Sequence, residues 1–78
     1  MNSEFVTTQA KDLASRLSAA AKSDPAKVEL AYQLTLGRTP TAAEKSRAIN
    51  FLHASLTADN WPGFCQALFA CAEFRYLN

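Results

Sequence analysis

Glu44 and His53 are a pair whose side-chain types suit general acid–base work. They lie nine residues apart in one helical stretch. Nine steps of an α-helix separate them by about 13 Å along the axis, too far to pass a proton. Glu44 has a simpler role. Thr41-Ala42-Ala43-Glu44 is a capping box, in which the Thr hydroxyl accepts from the amide three residues on and the Glu carboxylate accepts from the Thr amide. His53 alone reads as a surface or boundary residue. No nucleophile, base and orienting group can be assembled from the chain, so no catalytic residue is expected and the chain reads as a non-enzyme.

The other reactive types are Cys65 and Cys71. Six helical steps give about 9 Å of rise and roughly 240° of rotation. Their Cα atoms then stand beyond the roughly 7 Å that a disulfide spans, so they do not bridge, and both read as small buried hydrophobes. His53 is not at ligand spacing from either, so no metal is expected. No phosphate-binding glycine loop, zinc-helix motif or Cys-x-x-Cys occurs, and no cofactor is implied.

Lys45, Arg47 and Asn50 follow a glycine-containing turn, as they would on the reading helix of a helix-turn-helix. The overall balance opposes that reading. Eight Lys and Arg stand against seven Asp and Glu, for a net charge of +1, so phosphate attraction is weak. Nucleic acid is therefore not an expected partner, and helix-turn-helix binding is the alternative rather than the leading function.

Four helices must position these residues. Phe5/Val6, Ala10, Leu13/Ala14, Leu17 and Ala21 recur at helical spacing after Ser3, the expected N-cap. The second helix is expected from Asp24 as N-cap with Pro25 in the first turn. It carries Val28, Ala31, Tyr32 and Thr35 on one stripe, widened by Leu30, Leu34 and Leu36, and it stops at Gly37. The third runs from the capping box through Ala48, Ile49, Leu52 and Leu56, with Phe51 to one side. The fourth starts at Asp59 or Asn60 and places Trp61, Phe64/Cys65, Leu68 and Cys71/Ala72 on one face, widened by Phe69 and Phe74. Nothing alternates over strand lengths, and only two Gly and three Pro leave little room for loops. The fold class is therefore all-α, a compact bundle of four short helices forming one helical domain over residues 1–78. Fifteen alanines thin the core and allow close helix approach. No apolar run approaches the roughly 20 residues of a membrane span.

Three ordered stretches carry a resemblance. They are Met1-Asn2-Ser3-Glu4-Phe5-Val6 with Gln9-Ala10; Ala31-Tyr32 through Leu36-Gly37-Arg38-Thr39-Pro40-Thr41 with Glu44; and Cys65-Gln66-Ala67-Leu68-Phe69 with Glu73-Phe74-Arg75-Tyr76. Together they resemble the C-terminal end of a planctomycete-type domain of unknown function. That domain occurs in large exported bacterial proteins, many of which also carry cytochrome c-like domains. The chain differs in Glu4, where Pro is common, and in Phe69-Ala70-Cys71-Ala72, where small polar residues are common. The resemblance implies an excised C-terminal fragment of a larger protein, an extracytoplasmic (periplasmic or cell-surface) location and no carried-over activity. The Cys-x-x-Cys-His haem motif of the companion domains is missing, so haem is not implied. A weaker resemblance, over the second half only, is to short helical modules built on a Leu-Gly-Arg-x-Pro turn.

Two groups of residues remain as candidates. Arg38, just past Gly37, is expected to meet Glu73 in a bidentate pair that ties the turn to the last helix. Trp61, Phe69, Phe74 and Tyr76 crowd the C-terminal end, where they serve either as core or as a patch for a partner. The resulting expectation is a structural or protein-interaction module. Its partner is the rest of its own parent chain or another protein, and it is a monomer or weak homodimer.

Overall fold

A computed structural model describes residues 3–55 and 57–77, with side chains for 4–55 and 57–72. Four helices follow one another: α1 (Ser3–Ala20), α2 (Asp24–Leu36), α3 (Ala42–Leu52) and α4 (Trp61–Leu77). No strand occurs among the described residues. The fold is the expected all-α bundle. Its radius of gyration of 12.0 Å is close to the roughly 11.5 Å of a compact domain this long.

α1 and α4 form the most extensive helix pair. α2 and α4 each touch every other helix, whereas α1 and α3 do not meet among the described residues. The centre is therefore shared by α2 and α4. This explains why both carry apolar residues around most of their girth. Leu17, Val28 and Cys65 are fully buried, and Ala10, Leu13, Ala31, Tyr32, Ala48, Leu52, Phe64 and Leu68 complete the core. Among the described residues no charged side chain is buried with them.

The helix ends show which local signals prevailed. In α3 both halves of the capping box form: Glu44 N donates to Thr41 Oγ1 at 3.1 Å, and Thr41 N donates to Glu44 Oε1 at 2.9 Å. Gly37 ends α2 in the left-handed region at φ 70°, with its N–H on the Gln33 carbonyl. The start of α2 differs from expectation by one residue. Ser23, not Asp24, is the N-cap, its Oγ accepting from Ala26 N at 3.3 Å. Asp24 thus joins the first turn, where its charge complements the helix dipole, and its carboxylate is left for a tertiary partner. Ser3, expected to cap α1, is instead its first helical residue.

α3 also stops earlier than its apolar spacing suggests. It ends at Leu52, and Leu56 lies outside the described residues. Ala54 N turns onto the Phe51 carbonyl at 3.2 Å, and Asn60 Nδ2 donates to the same carbonyl at 3.0 Å. Ser55 Oγ then accepts from the N–H groups of Thr57 and Ala58, closing a turn. At the start of α4, Asp59 Oδ1 accepts from Trp61 N at 3.1 Å. Asn60 thus joins the end of α3 to the beginning of α4.

Three apolar residues depart from their expected burial. Phe5 and Leu34 are 58% and 60% exposed, although both belong to apolar stripes. Cys71 is exposed while Cys65 is buried, and both thiols are free. A stripe covers more of a helix than its neighbours can reach in a bundle this small.

Candidate functional site

The turn between α2 and α3 brings together the polar residues singled out in the sequence. Arg38 Nη1 and Nη2 donate to Glu44 Oε1 and Oε2, each at 2.8 Å. Nη1 also donates to the Thr39 carbonyl at 3.2 Å. Glu44 therefore holds Arg38 while it caps α3 through Thr41. These donors draw the Glu44 carboxyl down to about 2, the Arg38 hydrogen bonds first and the Thr41 amide second. The guanidinium carbon stands 5.5 Å from the centroid of the Tyr32 ring, within cation–π range. Burial pushes the Tyr32 phenol up, with a smaller contribution from Glu44.

The Arg38 fork closes on Glu44, while Glu73, its partner expected from the sequence, has its side chain outside the described residues. Arg38 and Glu44 are six residues apart across one turn, and the capping box has already fixed the carboxylate. The side chains of Phe74 and Tyr76 also lie outside the described residues.

Two further pairs lace α2 to α3. Lys45 Nζ lies 2.6 Å from Glu29 Oε1, and His53 Nε2 lies 2.6 Å from Asp24 Oδ2. Spacing along the chain did not point to either pair. A usable signal was present: in a helical hairpin folded about Gly37–Thr41, partners lie about equally far from the turn. Asp24 and His53, 13 residues before Gly37 and 12 after Thr41, meet that condition; Glu29 and Lys45, eight before and four after, do not. The His53 imidazole is thus oriented by a carboxylate. The neighbouring Ser23 and Ser55 hydroxyls both accept backbone N–H bonds as caps.

Among the described aromatic residues, Trp61, Phe64 and Tyr32 form a chain. Trp61 meets Phe64 edge-on, with centroids 5.6 Å apart and planes at 84°. Phe64 meets Tyr32 at 6.3 Å, tilted by 43°. A cation closes each end: Lys27 Nζ lies 5.5 Å from the Trp61 centroid, and Arg38 lies over Tyr32. Trp61 and Phe69 are half-buried. Phe69 lines a groove of about 220 Å³ with Leu13 and Leu34, edged by Gln9, Asp12 and Arg16. Phe5, Gln9, Asp12 and Arg16 follow at helical spacing on one face of α1. The apolar surface therefore spans α1, α2 and α4.

Lys45 and Asn50 border an open depression with Pro40 and Ile49. The Lys45 ammonium, one of the cations proposed for nucleic acid, is held by Glu29. Among the described residues no group of three His, Cys, Asp or Glu side chains is placed to hold a metal, and no helix is long and apolar enough to cross a membrane.

Compared with family models, curated proteins and solved structures, the chain matches none.

Proposed function

We propose that the chain is a non-catalytic helical module that docks through an apolar face onto a larger exported bacterial protein of which it is part. The observation that carries this reading is the exposure of Leu34 in the Leu13–Phe69 groove, with exposed Phe5 one helical turn before Gln9 of its rim. Large apolar side chains grouped on one face of a small domain mark an interaction surface. The polar groups that invited a catalytic reading are engaged in holding helices: Glu44 with Arg38 and Thr41, and His53 with Asp24. The resemblance to the C-terminal end of the planctomycete-type domain supports the parent protein and the extracytoplasmic location.

The helix-turn-helix alternative has less support. α2, the turn and α3 have the required order, but Lys45 is neutralised by Glu29 and the net charge is +1.

An apolar fluorescent dye tests the docking face. The native chain is expected to bind it, and Leu34→Lys combined with Phe5→Lys removes the binding while leaving Tm within a few degrees, because both residues are exposed. Absence of dye binding by the native chain overturns the reading.

A further inference from the structure

A second cleft, separate from the apolar groove, lies between α1, the start of α2 and the first turn of α4. Its volume is about 350 Å³, at the small end of the range for ligand pockets. Lys11, Ser15 and Ser18 face it from α1, Lys27 from α2, and Asp59 and Trp61 from the start of α4. Lys11, Ser15 and Ser18 are spaced to share one helix face.

What distinguishes this cleft is that its donors are unspent. Arg16, Arg38 and Lys45 each pair with a carboxylate. Among the described residues neither Lys11 nor Lys27 enters an ion pair. The hydroxyls of Thr8 and Thr35 return to the carbonyl four residues back. Among the described residues those of Ser15 and Ser18 make no such bond. Asp59 is the cleft's one carboxylate, and it is occupied in starting α4 through Trp61 N. Two lysines and two serines thus line one cleft beside an indole whose ring the Lys27 ammonium approaches to 5.5 Å. The larger depression beside α3, about 620 Å³, lacks this character, because Lys45 there is already held by Glu29.

We propose that this cleft binds a small organic anion, its acidic group between Lys11 and Lys27 and its apolar flank against Trp61. A carboxylate, a sulfate ester or a phosphate ester supplies the acceptor oxygens that these donors require. The site is independent of the docking face, since Leu34 and Phe69 do not line it.

Trp61 is the only tryptophan in the chain, so its emission reports occupancy directly. The probe is cyclohexanecarboxylate, with uncharged cyclohexanecarboxamide and inorganic sulfate beside it. The carboxylate is expected to change the emission saturably, more tightly than sulfate, and the carboxamide to leave it unchanged. Lys11→Gln and Lys27→Gln each weaken carboxylate binding about tenfold, Lys27→Arg retains it, and Lys22→Gln, outside the cleft, has no effect. A thermal melt of each variant confirms folding. The proposal is overturned if the carboxylate gives no saturable change, if the carboxamide or sulfate binds as well, or if Lys22→Gln weakens binding as much as Lys27→Gln.

Discussion

Glu44 accepts two 2.8 Å hydrogen bonds from Arg38, one on each carboxylate oxygen, while one of those oxygens also accepts the Thr41 amide. One side chain therefore performs two tasks. It caps α3 at its first turn, and it fixes the residue that follows the left-handed stop of α2. The α2–α3 hairpin owes its turn geometry to this carboxylate, while Glu29–Lys45 and Asp24–His53 hold the two helices alongside one another.

The pH dependence follows from the direction of the Glu44 shift. Its folded value is near 2 and its unfolded value near 4.5. A lowered folded value means that the folded state favours the charged form, so the contribution is fully present above about 4.5 and is lost as pH falls toward 2. Both partners are solvent-accessible, so salt weakens the effect. Glu44→Gln keeps a capping side chain but removes the charge, and it is expected to flatten the decline of Tm over this window. Arg38→Ala lowers Tm at neutral pH by more than about a degree, and Thr41→Ala costs about 1 kcal/mol through the lost cap. Thermal melts between pH 2 and 7 check all three.

Gly37 tests the turn from the backbone side. Nothing stands within 4 Å of a Cβ placed there, so a methyl group meets no clash. The cost of Gly37→Ala is therefore conformational: a left-handed φ of 70° is expected to cost a non-glycine residue roughly 1 kcal/mol. For a chain of this size that lowers Tm by about 4–8 °C. A melt unchanged within error would place the stop of α2 elsewhere.

The two cysteines should behave oppositely. Cys65 is fully buried, and desolvation pushes its thiol up to about 11. Cys71 is exposed. Titration with a chromogenic disulfide at pH 8 is expected to modify one thiol per native chain rapidly and the second only after denaturant is added. Cys71→Ser removes the fast phase and Cys65→Ser leaves it intact.

Much of the bundle was legible because its strongest signals are local. The capping box at Thr41–Glu44 and the stop at Gly37 act within a few residues, and both appear where the sequence places them. The missed features depend on residues distant along the chain. α3 ends at Leu52, where Asn60 reaches back to the Phe51 carbonyl, a contact that apolar spacing cannot register. Asp24 gives way to Ser23 as cap, and its carboxylate meets His53, 29 residues on. Helical periodicity likewise finds an apolar stripe but not how much of it the neighbours cover. Phe5, Leu34 and Cys71 are therefore exposed where burial was expected.

Nucleic-acid binding is expected to be absent. With Lys45 held by Glu29, a mobility-shift assay with duplex DNA at low salt should show no complex that dissolves steeply as salt is raised. Such a salt-sensitive complex would favour the helix-turn-helix reading.

The docking claim is tested most directly by a photo-crosslinking residue at position 34 in the protein as its own genome encodes it, with position 26 as an exposed control on the same helix. Peptide mapping is expected to place crosslinks from position 34 in residues of the parent polypeptide beyond this chain, in the extracytoplasmic fraction, with position 26 giving far fewer. Crosslinks no more frequent at position 34 than at position 26, or confined to the cytoplasmic fraction, would contradict the account.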